Sequence, residues 1–404
     1  MRKKYFVLAI VMGAVSLMWT GLILKSGINI SEYDECIRRA QEHEEKQAYL
    51  TAAKYYSDAL GIRPDNDELM LKAAENYLRC NDENGFMHYC NMAIDKDSHN
   101  TLAYLMKSEF YENSARYTQA IDTLKSAAKK ADKEKINERL EEIRYRYEEG
   151  YTSYLDMYGF YDGLSPAMND RHKWGIVSNK GYVKMPFMFD AVGGAYNAEE
   201  DLVAVCSDSE WYMCDLKGRK KFVPDRRCTF LGTYSDGYCP FEADGVYGYI
   251  DKEYREFKKL YDFAGAFFEE TAAVCLDGKW ALINTDFENI TEFEYDEIIT
   301  DRYGFCSLNG VITAKKGGVY YELDKNGKVL KQREGDASDI SYTSELLSCG
   351  LSVVQSDGRY GYADRNGMVK IDQQFEQAAA FDKSGAACVK KDGMWKIIRL
   401  YEYM

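Results

Sequence analysis

Four histidines stand at positions 43, 88, 99 and 172, and eleven cysteines at 36, 80, 90, 206, 214, 228, 239, 275, 306, 349 and 388. Zinc needs closely spaced imidazoles or thiolates around it. No His-Glu-x-x-His and no Cys-x-x-Cys occurs, so the scattered, odd-numbered cysteines read as small buried hydrophobes rather than a disulfide framework. Acyl transfer would call for a Gly-x-Ser-x-Gly elbow and phosphate chemistry for a Gly-x-x-x-x-Gly-Lys cradle; neither is present. DKNG at 324–327 and DRNG at 364–367 open like calcium loops. The closing Glu of such a loop is missing, and turn chemistry explains both. Asp190, Asp262, Asp296 and Glu376 each follow an aromatic residue at equivalent places along the chain. A catalytic pair needs two different environments, so acids repeated in one environment are expected to satisfy backbone N–H groups. The residues thus predict no catalytic, cofactor-binding or metal set, and they leave the binding residues unidentified.

Composition narrows the partners. The chain has 404 residues, room for two or three domains, with 46% hydrophobic residues, 34 Tyr and only 5 Pro. The formal charge is −14 and the pI about 5.0. Nucleic acid binding works by Lys and Arg displacing counterions from phosphate, and this chain has no basic patch to do it. The same charge disfavours an anionic wall polymer.

The first residues are MRKK, then YFVLAIVMGAVSLMWTGLIL at 5–24 without a charge. Twenty apolar residues in a helix span about 30 Å, the hydrocarbon thickness of a bilayer. The following LKSGINIS offers no small-x-small cleavage site, so the segment is expected to remain as a transmembrane anchor. Arg2, Lys3 and Lys4 precede it, which places the N-terminus in the cytoplasm and the rest of the chain outside the cell membrane.

From 31 to 150 apolar residues recur at helical spacing. ALGIRPDN at 59–66, AIDKDSHN at 93–100 and AAKKADKE at 127–134 align at a period of 34. With Ala52, Ala59 and Pro64 in one unit, Ala74, Tyr77 and Ala93 in the next, and Tyr104, Ser108, Tyr111, Ala120 and Ala127 in the third, these segments resemble tetratricopeptide repeats. The resemblance implies stacked helix pairs with a concave face that grips a peptide or partner helix. Phe86 departs from it, standing where a small residue is expected. Ile136, Leu140, Ile143 and Tyr147 form a stripe that would cap the stack.

Beyond 150 an eleven-residue pattern appears seven times: RHKWGIVSNKG (171–181), DSEWYMCDLKG (208–218), DGVYGYIDKEY (244–254), DGKWALINTDF (277–287), GGVYYELDKNG (317–327), DGRYGYADRNG (357–367) and DGMWKIIRLYE (392–402). Asp-Gly between apolar runs predicts a type I′ hairpin. A two-residue turn at Asp277-Gly278 pairs Cys275 with Trp280, Val274 with Ala281 and Ala273 with Leu282. Turns at 357–358 and 244–245 pair Val354 with Gly361 and Phe241 with Gly248, whereas Val389 would face Lys396. Each repeat is expected to supply about three strands. Trp174-Gly175, Tyr247-Gly248 and Tyr360-Gly361, with the turns around them, resemble the WG-repeat (KWG) family of bacterial proteins over roughly 160–404; the Gly is replaced by Tyr212, Ala281, Tyr321 and Lys396 in the other copies. That resemblance implies a binding module.

Short antiparallel strands must hide their edges, which favours a ring, with WKIIRL at 395–400 completing the sheet begun near Trp174. The expected fold class is therefore multidomain α plus β: a transmembrane helix, an α-helical tetratricopeptide-like solenoid, and a C-terminal all-β repeat domain, β-propeller-like or else an open or solenoidal stack. The expected division is 1–28 for the cytoplasmic tip and anchor, 29–150 for the helical repeats and 151–404 for the β repeats. The expected function is membrane-anchored, non-enzymatic binding of a protein or peptide partner, without cofactor or nucleic acid. Binding of wall or surface carbohydrate by exposed Tyr and Trp is the alternative, and a hydrolase on a propeller scaffold a more remote one.

Overall fold

The computed structural model describes residues 31–251, 255–308, 310–334 and 348–404. The chain divides into two compact units, one ending at Arg144 and the other comprising Tyr145–Met404.

The first unit is helical throughout. Helix α1 covers residues 31–45. It is followed by α2 (Tyr49–Ile62), α3 (Asp67–Arg79), α4 (Glu83–Lys96), α5 (Thr101–Asn113), α6 (Tyr117–Ala127) and α7 (Lys133–Ile143). The 34-residue period is written into the breaks between helices. Gln47, Asn81 and Ala115, 34 residues apart, turn the chain in the left-handed region at φ 57°, 60° and 55°. Asn66 and Asn100 cap α3 and α5, accepting from the N–H of Leu69 and Ala103, each cap worth about 1 kcal/mol. Ala40, Ala52, Ala59, Ala74, Ala93, Ala120 and Ala127 are fully buried, because only a methyl fits where helix backbones approach. Phe86 is fully buried as well and packs on Phe110, with ring centroids 4.9 Å apart. The close approach is supplied one residue earlier: a Cβ on Gly85 would lie 2.4 Å from the Tyr77 ring. Tyr147, last in the apolar stripe, is not helical; it begins the first strand of the second unit.

The second unit contains seven antiparallel sheets in chain order. We number them as blades: blade 1 from Asp156 to Phe189, blade 2 from Ala191 to Phe222, blade 3 from Phe230 to Tyr261, blade 4 from Phe263 to Tyr295, blade 5 from Glu297 to Glu334, blade 6 from Ser348 to Phe375 and blade 7 from Gln377 to Leu400. The hairpin turns are those expected. Asp244-Gly245, Asp277-Gly278, Asp357-Gly358 and Asp392-Gly393 all have positive φ at both residues, and the pairs Cys275–Trp280, Val354–Gly361, Phe241–Gly248 and Val389–Lys396 are all formed. Most blades carry an additional strand of two residues, too short to read from sequence, such as Ala191–Val192 or Phe263–Ala264.

The arrangement is a closed propeller. Hydrophobic clusters bridge blades 1 and 2, 2 and 3, 3 and 4, 4 and 5, 6 and 7, and 7 and 1. The last joint is also a strand pairing: Met394–Leu400 pairs on one side with Ala386–Lys391 and on the other with Tyr147–Tyr154. The closing strand therefore meets the start of the unit, not the sheet around Trp174. Trp174–Ser178 has neighbours on both sides, Leu164–Met168 and Val183–Phe189, and offers no edge. An open stack is excluded by the same pairing.

Among the described residues no helix is long and apolar enough to cross a membrane. The apolar run at 5–24 lies outside the described residues. This corrects the expected fold class and the expected single-pass membrane location, for which no described helix provides a span: the described architecture is an array of seven helices followed by a seven-bladed propeller.

Candidate functional site

The residues that the blades share serve the ring itself. The acid after the last strand of blades 1, 3, 4 and 6 reaches to the hairpin turn of the next blade. Asp190 accepts from the N–H of Asp208 at 2.8 Å, Asp262 from Gly278 at 3.3 Å, Asp296 from Gly317 at 2.6 Å and Glu376 from Gly393 at 3.1 Å. Basic residues of the preceding blade hold the same acids, Lys173 on Asp190 at 2.5 Å and Lys279 on Asp296 at 2.7 Å. These lysines, through hydrogen bonds and charge, keep the Asp190 and Asp296 carboxyls below the ordinary range. The second turns are closed in the same manner: Asp324 accepts from Asn326 and Lys328, and Asp364 from Asn366 and Met368. The repeat aromatics form a ladder running from blade to blade, Trp211 on Phe230 (5.7 Å), Tyr247 on Phe263 (5.5 Å), and Phe263 on Trp280 (5.0 Å). All eleven cysteines are free.

The Gly of the WG pattern has a local cause. In blades 1, 3 and 6 the last strand gains two residues against its neighbour at that point, between Trp174 and Ile176, Tyr247 and Tyr249, and Tyr360 and Tyr362. In blades 1 and 6 the bulge pushes backbone toward the Gly: a Cβ on Gly175 would sit 2.6 Å from the Met185 oxygen, and one on Gly361 2.5 Å from that of Ile371. Blade 5 pairs Tyr320, Tyr321 and Glu322 in unbroken register, and there Tyr321 replaces the Gly.

Function must then be sought where the blades differ. At the axis Ala195, Ala266, Tyr303 and Phe305 are buried together with Tyr158, Tyr161 and Phe268 packed against them. A segment of blade 5 crosses this centre. The Thr233 hydroxyl donates to the Tyr303 carbonyl at 2.8 Å, the Tyr303 hydroxyl donates to the Gly159 carbonyl, and the Gly304 carbonyl accepts from Ala266. Burial pushes the Asp301 carboxyl up to about 6, although the N–H groups of Phe305 and Tyr303 pull the other way. A cavity of about 530 Å³ opens beside this plug, lined among others by Phe268, Arg302, Tyr303 and Trp395.

Two polar depressions adjoin on the turns that connect the first and second strands of blades 1 to 4. One, of about 280 Å³, lies between Tyr161-Asp162, the stretch Ala195–Glu200 and the stretch Thr233–Gly237. The other, of about 520 Å³, shares Glu200, Tyr234, Asp236 and Gly237 with it and extends to Asp251, Arg255 and Glu270. The Asn197 carbonyl oxygen of the side chain accepts from the N–H of Glu199 and Glu200, which fixes that turn and leaves both carboxylates exposed. Sequence reasoning did not find these residues: the turns recur, as Asp162-Gly163 and Asp236-Gly237, but lie outside the eleven-residue pattern. Among the described residues no group of three or more His, Cys, Asp or Glu is placed to hold a metal ion.

The described fold is a helical-repeat array and a seven-bladed β-propeller with clefts borne on its turns. A family model described as WG containing repeat matches residues 247–280, 281–320 and 360–395. A search of curated proteins returns no match. Among solved structures, the β-propeller domain of Myceliophteria thermophila Cps50 (Swd1) is 8% identical, with 62% of this chain and 99% of that one covered at a TM-score of 0.40. Hsv2 of Kluyvelomyces marxianus is 9% identical over 59% and 89%, at 0.40. The TPR2B domain of yeast Sti1 is 20% identical over 27% and 94%, at 0.24. The architecture rests on the strand pairing, not on these likenesses.

Proposed function

We propose that this chain is a non-enzymatic interaction protein that binds a protein or peptide partner, with the turn face of the propeller as the contact surface. The observation that carries this reading is the division of labour among the carboxylates. Those at equivalent places in blades 1, 4 and 6, and Asp236 of blade 3, which accepts from the N–H of Glu270 at 2.8 Å, are spent on capping the neighbouring blade's turn, while Glu199 and Glu200 stand exposed around a shallow cleft. Shape and exposed polar groups at loop tips on a rigid scaffold suit recognition. The repeat aromatics are engaged between blades, so the carbohydrate alternative gains no support from them.

Photo-crosslinking tests the proposal. A photoreactive residue replaces exposed Ala198 in the full chain, with the exposed position Asp372 as control, and the host lysate is irradiated. A discrete protein adduct at 198 that is missing at 372 is expected. No adduct at 198, or equal labelling at both, overturns the reading.

A further inference from the structure

We propose that the cleft between Tyr161, Asp162, Glu199, Glu200, Tyr234 and Asp236 receives the cationic end of an arginine or lysine side chain projecting from the partner. This rests on the partner-binding reading above and names its chemistry. The cavity of about 280 Å³ lies below the usual range of small-molecule pockets, about 300–1,000 Å³, and suits one long side chain. Four carboxylates line it, Asp162, Glu199, Glu200 and Asp236, the last also accepting from the N–H of Glu270 at 2.8 Å, and no Lys or Arg does. The nearby cations are taken up outside it: Arg255 pairs with Asp251 at 2.8 Å, and Lys325 lies 3.9 Å from Glu270.

A second observation points to a ligand independently of the acids. Tyr234 lines this cavity and its neighbour. The residue is only 5% exposed, and its hydroxyl is buried with no hydrogen-bond partner. An unsatisfied buried hydroxyl costs free energy, and an N–H donor arriving from a ligand would relieve it. Burial pushes the phenols of both Tyr161 and Tyr234 up to about 12, with Asp162, Asp236, Asp301 and Glu199 adding at Tyr161 and Glu200 and Asp251 at Tyr234. Both phenols are therefore neutral. A hard metal ion wants six or more converging oxygens. Carboxylates spread around phenol rings instead match a planar, weakly hydrated guanidinium.

The test uses the full chain and a fluorescein-labelled peptide of alternating arginine and glycine, with a twin in which neutral citrulline replaces arginine. Saturable binding of the arginine peptide is expected, weakened about tenfold or more in the Glu200→Gln/Asp236→Asn double variant. Tyr234→Phe should weaken it severalfold while leaving Tm equal or higher, because the variant removes an unsatisfied group. A control pair, Glu292→Gln/Asp372→Asn, removes the same charge from exposed positions elsewhere and should bind as the parent does. Equal binding of the citrulline twin, or equal loss in the control pair, overturns the proposal. Absence of arginine-peptide binding while the crosslinker at 198 still captures a protein overturns the cation cleft alone. Loss of that capture overturns the partner reading.

Discussion

Arg302 lies fork to fork on Asp156: each terminal guanidinium nitrogen donates to one carboxylate oxygen at 2.8 Å, across 146 residues of chain. The pair ties blade 5 to blade 1, and Arg302 also donates to the Met157 carbonyl and stacks over Tyr158 at 4.0 Å. Together with the Tyr303 hydroxyl on Gly159, it makes the segment Asp301–Phe305 a strut across the ring rather than a surface loop.

Replacing Arg302 by Ala should destabilise the β unit by about 1–2 kcal/mol, less than a fully buried pair because both partners remain partly wet. Lys at 302 should recover only part of the loss, since an ammonium cannot make two parallel bonds. Burial pushes the Asp156 carboxyl up, but the hydrogen bonds and charge of Arg302 prevail and its pKa is lowered overall. The stabilisation is present above the unfolded pKa near 4 and is lost as pH falls through the folded value. Urea melts at pH 7 and pH 3 of the parent and Arg302→Ala should converge at the acid end.

Asp301 has the opposite sign. Its carboxyl is raised to about 6 by burial, so the folded state holds a proton that the unfolded chain has released between about pH 4 and pH 6. Ionisation therefore costs stability as pH rises through that window. Asp301→Asn keeps an acceptor for the Tyr303 and Phe305 N–H groups. It should be more stable than the parent by about 1–2 kcal/mol at pH 7.5 and no more stable at pH 4.5. A variant that is equally altered at both pH values would refute the assignment.

Gly361→Ala should cost about 2–3 kcal/mol, because the added methyl would lie 2.5 Å from the Ile371 oxygen and 2.7 Å from Asp372 backbone atoms, which cannot rotate away. The same position in blade 5 is Tyr321 and tolerates a side chain, so Tyr321→Ala should preserve the blade's register and lose only packing. Thermal melts of the two variants distinguish crowding at the bulge from a general intolerance of the position.

Deletion of residues 395–404 should unfold the whole β unit, not just blade 7. The removed strand pairs with Tyr147–Tyr154 on one side and Ala386–Lys391 on the other, and its Trp395 and Ile397 are buried in the cluster shared with Met157 and Val177 of blade 1. Amide hydrogen exchange should lose protection in all blades. Loss confined to residues 377–394 would show that the ring does not fold as one cooperative unit.

Much of this was readable residue by residue. The type I′ turns follow from Asp-Gly, and cross-strand partners such as Cys275 and Trp280 follow from counting outward from the turn. The recurring acids were recognisable as N–H acceptors, but their donors were not, since Asp190 caps a turn 18 residues on in another sheet. The small residue displaced from Phe86 to Gly85 was missed because close approach depends on helix rotation, which a repeat alignment does not measure. The closing strand was recognised as a closing strand and given the wrong partner. The pairing with Tyr147–Tyr154 begins at a residue, Tyr147, that the helical stripe had claimed.

What the sequence by itself determined is local and periodic: two repeat lengths, the turns, the buried alanines and the hairpin registers. These depend on backbone preferences and burial within one repeat, and every copy votes for them. Only the tertiary structure decided the rest: the closed ring over an open stack, the clasp at Tyr147–Tyr154, the strut from Arg302 to Asp156, and the meeting of Glu200, Tyr234 and Asp236 at one cleft. Those relationships join residues tens to hundreds of positions apart, and only the curvature of the closed ring brings them into contact.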